Sequence, residues 1–317
     1  MLNFRMSEYW YVRKTGEEMK EKEPLVSIIL PTYNRKNFLG KTIISVINQD
    51  YNNWELIIID SGNDSTKELV DAFTDTRIKY FWLDARRSKA RNFGISQSSG
   101  EIISFIDSDD TFRFDKLRLE IDVFKENKLV GWVYSSAICK DGESGRDIGS
   151  YPAEKSGWLY RDIAYYKPLT FATSQITVRR NSLPASPIFN EKLDRFEDTD
   201  FFRRVARGSF GQNIPFELVT LVTHPGNSIS NEDPVRTLNF IKIYLDIVNH
   251  DSQDLDSKFK RKSSANLYNF YGAAFLSVGG NPIKALKFFI RSISLSPLST
   301  VIAFGKNFLK FYMWNKL

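Results

Sequence analysis

The strongest constraint on the fold of this chain is an alternation of short apolar runs with segments of helical periodicity. The apolar runs are continuous and rich in β-branched residues, which is typical of strands buried on both faces of a parallel sheet. The predicted strands are Leu25–Leu30, Glu55–Ile59, Ile78–Leu83 and Ile102–Ile106. Helical patterns separate them, as in Lys67–Phe73 and Lys89–Gln97. This order predicts an α/β fold with a doubly wound sheet.

Polar and acidic residues follow three of these strands directly. Tyr33 follows the first strand, Asp60 follows the second, and the run 107–110, with three aspartates, follows the fourth. The carboxyl edge of an open α/β sheet is where ligands bind. Neighbouring carboxylates repel one another unless a cation or strong donors neutralise them, so the 107–110 run indicates a binding site. Asp60 taken alone also fits an ordinary turn.

Several other classes of protein are excluded by residue usage. The single cysteine, Cys139, rules out a disulfide framework and a cysteine-based zinc site. The only histidines are His224 and His250, too few for a multi-histidine metal site. Neither GxGxxG nor GxxxxGK[ST] occurs, so the sequence gives no support to a dinucleotide-binding or P-loop enzyme.

The positive charge is concentrated near the C-terminus. The whole chain has a net charge of +6, yet residues 258–317 contain ten Lys or Arg and no Asp or Glu, so the remainder is net negative. This distribution gives no support to nucleic-acid binding. In Pro282–Leu295 an apolar stripe and a basic stripe run side by side. Such a helix fits an anionic membrane surface, or equally a helix packed on the domain with a solvated lysine face.

Three regions are expected. Residues 1–23 form a charged extension, 24–230 an α/β domain, and 231–317 a helical, basic C-terminal region. The N-terminus lacks the apolar core of a signal peptide, and no apolar run is long enough to span a bilayer. We therefore expect a cytoplasmic protein, with residues 258–317 either in peripheral contact with the inner face of the cytoplasmic membrane or packed on the domain.

Five segments in order resemble the motif series of family 2 glycosyltransferases. They are VSIILPTYNR (Val26–Arg35), IIIDSGNDST (Ile57–Thr66), KARNFGI (Lys89–Ile95), GEIISFIDSDD (Gly100–Asp110) and FEDTDF (Phe196–Phe201). The resemblance implies a GT-A fold, with a Rossmann-like nucleotide-binding half and an acceptor half, followed here by the C-terminal helices. It also implies an inverting transfer from a nucleotide-sugar donor, UDP-linked, to a hydroxyl of a glycan or lipid-linked acceptor. Bacterial surface polysaccharide assembly is the implied pathway.

The resemblance also assigns donor contacts residue by residue. Pro31 and Tyr33 match the loop against the nucleobase, and Asp60 matches the acid that accepts a hydrogen bond from a uracil-type imide. Arg91 matches the arginine near the donor diphosphate or nucleobase. Ser61 stands where many relatives have a second aspartate, which puts the identity of the nucleotide in doubt.

The aspartate run matches the family's DxD motif. Asp107 corresponds to the ribose contact, Ser108 lies beside it in the donor site, and Asp109 corresponds to the ligand of a divalent metal, Mn²⁺ or Mg²⁺. Hard carboxylate ligands suit both ions. Asp110 is expected to support the site or cap a helix. His224 either reaches this metal or the diphosphate, or has a structural role.

Asp198 matches the family's catalytic base, which takes the proton of the acceptor hydroxyl. Without the upstream motifs, Glu197 and Asp198 would fit ordinary acids at a helix N-terminus. Two alternatives to transfer stay open from the residues. The Asp107-x-Asp109 segment also fits the nucleophile motif of haloacid-dehalogenase-type phosphatases, although no later GDxxxD pair occurs. The other is a catalytically inactive, transferase-like scaffold.

Overall fold

The computed structural model describes residues 23–164, 172–224, 233–251, 253, 255–277 and 282–304. Within these ranges a nine-stranded mixed sheet is flanked by helices, which confirms the predicted α/β class. Two parts of the predicted regions lie outside the described residues. They are the N-terminal extension, apart from Glu23, and the last residues of the basic region, 305–317.

The elements follow one another as the sequence patterns predict. The strands are β1 Val26–Thr32, β2 Trp54–Asp60, β3 Ile78–Trp82, β4 Ile102–Phe105, β5 Thr111–Phe112, β6 Val130–Asp141, β7 Asp147–Tyr151, β8 Ile176–Arg179 and β9 Phe210–Thr223. The helices are α1 Lys36–Ile47, α2 Thr66–Asp71, α3 Arg87–Ser96, α4 Lys116–Glu126, α5 Tyr160–Ala164, α6 Glu197–Gly208, α7 Pro234–Asp251, α8 Ser257–Ser277 and α9 Pro282–Leu295. The ends of the four predicted strands lie within two residues of the observed ends.

The strand order creates the crevice in which ligands of such sheets bind. Neighbours along the sheet are β3-β2-β1-β4-β8-β6-β9-β5, and β7 pairs with β6. The first four are mutually parallel, whereas β8 runs antiparallel to β4. Because β1 lies between β2 and β4, the chain reverses its direction of winding there. The carboxyl ends of β1 and β4 therefore flank a topological switch point.

Burial explains why these segments form strands. Every residue of β1, β2 and β4 is buried, as continuous apolar runs require, whereas the edge strand β3 is only partly covered. Helix α1 covers one face through Leu39, Ile43 and Val46, whose spacing puts them on one side of a helix. Hydrophobic clusters fill both faces of the sheet.

The C-terminal helices share the core of the α/β domain. The cluster on one sheet face includes Ile29 and Phe105 from the strands together with Tyr244 of α7, Phe275 of α8 and Phe288 of α9. The expected boundary between 230 and 231 lies outside the described residues, and the helices that follow it share one core with the sheet. No helix among the described residues is long and apolar enough to cross a bilayer.

Helix α9 buries a different face from the one that its apolar stripe suggests. Ala285 and Phe288 are buried. The apolar side chains left exposed on this helix are Ile283, Leu286, Ile290 and Ile293. Helix α9 therefore carries an apolar stripe that no described residue covers.

Candidate functional site

A cavity of about 1750 Å³ opens at the carboxyl ends of β1 and β4. Of the residues expected at the site, those on its wall are Pro31, Tyr33, Asp107, Ser108, Asp109 and Asp198. Asp60, Arg91 and His224 do not line it but contact residues that do. The fold thus brings Asp107 and Asp109 to the same cavity as Asp198 of α6, although 88 residues separate Asp109 from Asp198 by their numbering.

Asp109 lies between two basic side chains. Its Oδ2 is 3.3 Å from Nη1 of Arg35 and 3.2 Å from Nε2 of His224. Burial and the neighbouring Asp107 raise the pKa of Asp109, while Arg35 and His224 act in the opposite direction. The His224 ring packs against Phe38, with ring centroids 4.4 Å apart. Sequence reasoning missed Arg35, although it lies in the loop after β1, where site residues are expected.

The residues around Asp109 fit a divalent ion only in part. The buried Nε2 of His224 faces Asp109 without the alignment of a hydrogen bond, so it is an orphaned polar atom aimed at a carboxylate. Among the described residues no three acids, histidines or cysteines stand close enough together to hold a metal. An ion here would therefore need oxygen atoms from a bound substrate, which is how proteins usually hold Mg²⁺.

Arg91 joins the two acidic motifs. Its guanidinium is 1% exposed; Nη2 donates to Oδ1 of Asp107 at 2.8 Å and Nη1 to Oε1 of Glu197 at 3.4 Å. Burial alone would lower the pKa of Arg91, but Asp107 and Glu197 together raise it. Burial and Asp198 raise the pKa of Glu197, although Arg91 and Arg87 act to lower it. The donor contact expected of Arg91 stays a prediction, and the bridge was not foreseen.

Asp198 lies in the first turn of α6. Phe196, which precedes the helix, has a left-handed backbone with φ +65°, and this turns the chain into the helix at the cavity wall. The backbone N–H of Thr199 donates to Oδ1 of Asp198 at 2.6 Å. The Phe196 ring stacks on Tyr244 of α7 and meets Tyr271 of α8 edge to face. The C-terminal helices thus support the loop that carries Asp198.

Asp60 has the position expected of it but is engaged within the protein. Its Oδ1 accepts from the Gly62 N–H at 2.8 Å and its Oδ2 from the Tyr80 hydroxyl at 2.9 Å. The next residue, Ser61, lines the cavity. A side chain on Gly62 would have its Cβ 2.5 Å from Oδ1 of Asn34, so glycine allows the loops after β1 and β2 to touch. The uracil contact of Asp60 remains a prediction.

Asp110 supports the site from behind. It accepts hydrogen bonds from the Ser174 hydroxyl and from the Val222 N–H, the latter at 3.1 Å. Thr42 donates to the carbonyl oxygens of both Ser108 and Asp110. Burial and the nearby aspartates raise the pKa of the Asp110 carboxyl well above the ordinary value. It precedes β5 and not a helix, so the expected support role fits and the helix-cap alternative is wrong.

Known proteins resemble this chain over the same region. Residues 27–183 match Glycosyl transferase family 2. An uncharacterized glycosyltransferase of Haemophilus influenzae is 38% identical over 121 residues, 37% of this chain and 48% of that protein. The Escherichia coli UDP-Glc:alpha-D-GlcNAc-diphosphoundecaprenol beta-1,3-glucosyltransferase WfgD is 38% identical over 108 residues, 33% of this chain and 43% of that protein. The chain spans less than half the length of these two relatives.

A solved structure shares the fold. The crystal structure of S. aureus TarS 1-349 in complex with UDP-GlcNAc matches with a TM-score of 0.65 at 20% identity, covering 91% of this chain and 89% of that one. The match therefore includes the C-terminal helices as well as the sheet. The ordered motifs, the position of Asp107 and Asp109 at the switch point and the family match agree, and residues 27–183 of this chain form a domain of glycosyl transferase family 2.

Proposed function

We propose that this chain is an inverting glycosyltransferase that moves a sugar from a nucleotide-diphosphate sugar, UDP-linked, to a hydroxyl of a glycan or lipid-linked acceptor. One observation carries the proposal: Asp107, Asp109 and Asp198 line a single cavity at the switch point of the sheet. The relative WfgD, named for transfer from UDP-Glc to a diphosphoundecaprenol-linked sugar, supports both substrate classes. The structure of TarS with UDP-GlcNAc supports a UDP-linked donor.

The donor would lie along the ends of β1 and β4. Tyr33 is 65% exposed at the cavity wall, so its ring face is available to a nucleobase, and Pro31 and Ser61 line the same wall. Asp107 would receive the ribose, with Ser108 next to it. Asp60 would act indirectly, because its hydrogen bond from Gly62 holds the turn in which Ser61 lines the cavity.

Asp109 and His224 would hold Mn²⁺ or Mg²⁺ together with the phosphates of the donor. The hard carboxylate suits both ions, whereas the imidazole of His224 is a better ligand for Mn²⁺ than for Mg²⁺. When bound, the ion would supply Lewis-acid stabilisation of the departing diphosphate. Arg35, 3.3 Å from Asp109, is a second cation that can face the phosphates.

Asp198 would act as the base. Among the described residues only Thr199 donates to its carboxylate, through Oδ1, so Oδ2 is left to accept a proton. The acceptor oxygen gives its proton to Asp198 as it bonds to the anomeric carbon. The bond from that carbon to the diphosphate oxygen breaks on the opposite face, and the configuration inverts.

The two alternatives have less support. The match to family 2 covers the Asp107-x-Asp109 segment and leaves no basis for a haloacid-dehalogenase-type phosphatase. An inactive scaffold has no need to keep three aspartates on one cavity wall. Cell-envelope polysaccharide assembly is the proposed pathway, since WcaA of E. coli, 29% identical over 74% of its length, is described as a putative colanic acid biosynthesis glycosyl transferase.

We also propose that the apolar stripe of α9 rests on an anionic membrane. Ile283, Leu286, Ile290 and Ile293 are exposed, and Lys287 lies among them. Residues 258–317 carry ten basic residues and no acidic one, which complements anionic headgroups. A lipid-linked acceptor would be found at such a surface.

The decisive experiment combines donor binding with transfer. Nucleotide sugars are screened by thermal shift with Mn²⁺ or Mg²⁺, and the binders are tested for release of nucleoside diphosphate with acceptors. We expect a UDP-sugar to stabilise the protein and Asp198→Asn to abolish transfer with nearly unchanged donor affinity. Asp162→Asn, outside the cavity lining, is the control. Full activity of Asp198→Asn, or the absence of any nucleotide-sugar binding, would contradict the proposal.

A further inference from the structure

The cavity extends beyond the sheet edge to the C-terminal helices. Its far wall is formed by α7, α8 and the helical residues 297–304. The lining residues there include Arg236, Lys262, Asn266, Phe270, Tyr271 and Ile302. No family motif quoted above covers these positions.

The acidic motif of α6 stands between the donor carboxylates and this far wall. Through Arg91, Glu197 is joined to Asp107, which lies on the donor side. Through its ring, Phe196 contacts Tyr271, which lies on the far wall. A group bound at the far wall would therefore approach the start of α6 from the side of Phe196, away from Asp107, as an in-line acceptor has to.

The cavity is large enough for two substrates. Its volume of about 1750 Å³ exceeds the roughly 300–1,000 Å³ that is usual for a single small ligand. A nucleotide sugar at the switch point leaves space along the C-terminal helices for a second molecule.

The far wall carries two positively charged side chains. Arg236 and Lys262 are exposed to the cavity, and neither has a carboxylate partner among the described residues. Elsewhere on the wall, by contrast, Arg86 pairs with Asp194 and Arg87 lies 3.8 Å from Glu197. A pair of unneutralised cations in a cleft attracts an anionic ligand.

We propose that Arg236 and Lys262 bind a phosphate group of the acceptor. The inference rests on the proposed function and deepens it: the acceptor is a phosphate ester, with its sugar hydroxyl directed to Asp198. Guanidinium and ammonium groups are the side chains that bind phosphate. Phe270, Tyr271 and Ile302 offer an apolar surface beside the two cations for the rest of the acceptor. A lipid diphosphate and a phosphodiester polymer share this chemistry.

The test measures acceptor binding to the full chain by calorimetry, with UDP and Mn²⁺ at saturating concentrations to fill the donor site. Three probes are compared: a decyl glycosyl diphosphate, the uncharged decyl glycoside of the same sugar, and a glycerol phosphate oligomer. The test variant is Arg236→Gln/Lys262→Gln. The matched control, Lys41→Gln/Lys192→Gln, removes the same charge from exposed positions outside both the cavity lining and the basic region.

We expect the wild type and the control to bind a phosphate-bearing probe at least about tenfold more tightly than the decyl glycoside. The test variant should lose this preference while its affinity for UDP is unchanged. Tighter binding of the diphosphate or of the oligomer identifies a lipid or a polymer as the source of the phosphate. Equal affinity of the test variant and the wild type, or no preference for phosphate in the wild type, would overturn the inference. Failure of the wild type to bind UDP would instead count against the proposed function.

Discussion

The ring of Phe196 stacks on the ring of Tyr244, with centroids 5.0 Å apart and planes 27° from parallel. Phe196 directly precedes Glu197 and Asp198, and Tyr244 belongs to α7 in the C-terminal region. An ion pair of Arg203 on α6 with Asp251 of α7 links the same two helices. The position of the proposed base therefore depends on helices that lie outside the five motifs.

Replacing Tyr244 separates packing from hydrogen bonding. The Tyr244 hydroxyl is buried and has no hydrogen-bond partner among the described residues, so Tyr244→Phe should keep activity and raise stability by about 1 kcal/mol. Tyr244→Leu removes the stacking, and we expect kcat to fall about tenfold with an unchanged donor Kd. Steady-state kinetics and urea denaturation of both variants provide the check. Equal kcat values for the leucine and phenylalanine variants would show that the stacking does not position Asp198.

Removing Arg91 should destabilise the protein mainly through Glu197. Arg91→Met leaves the buried Glu197 carboxylate with only the exposed Arg87, 3.8 Å away, as a cationic partner and should cost about 3 kcal/mol. Asp107 is more exposed and can be solvated. The double variant Arg91→Met/Glu197→Gln should regain more than half of that loss, because no unpaired charge remains buried. Chemical denaturation of both single variants and the double variant measures the coupling, and additive losses would disprove it.

Glu55 should make stability dependent on acidic pH. Burial alone would raise its pKa, but hydrogen bonds from Lys79, Ser27 and Ser99 lower it from 4.5 to about 2. Since the folded pKa lies below the unfolded one, the contribution of Glu55 is full above about pH 4.5 and is lost as the pH falls toward 2. Glu55→Gln should cost about 2 kcal/mol at pH 7.

The check is urea denaturation of Glu55→Gln and the wild type at pH 7 and at pH 3.5. The difference in unfolding free energy should shrink by about 1 kcal/mol at the lower pH. Glu101→Gln, an exposed acid near the same end of the sheet, serves as the control and should change little. A pH-independent difference would contradict the assignment.

The apolar stripe of α9 can be tested without truncation, which would remove part of the core. Leu286→Asp/Ile290→Asp changes two side chains that are 56% and 58% exposed. We expect the wild type to sediment with anionic phospholipid vesicles, less so at high salt, and the variant to stay in the supernatant. Leu129→Asp, at an 80% exposed position outside this region, should sediment like the wild type. Equal sedimentation of all three proteins would end the membrane proposal.

The sequence by itself determined the strands and the edge at which the site lies. Continuous apolar runs that alternate with helices are typical of strands buried in a parallel sheet, and the residues that follow such strands meet at one edge. This reasoning put Tyr33, Asp107 and Asp109 at the cavity wall. Asp198 came from the order of the motifs, because the helix that carries it has an ordinary acidic first turn.

The tertiary structure alone decided which groups face one another. Arg91 bridges Asp107 and Glu197, and Tyr244 supports Phe196, although no local pattern relates these positions. Helix α9 likewise buries Phe288 and leaves Ile290 exposed. Periodicity tells which residues of a helix share a face, but the partner that covers the face comes from a distant part of the chain. Long-range packing chooses that partner, and with it the charge and shape of the far wall of the cavity.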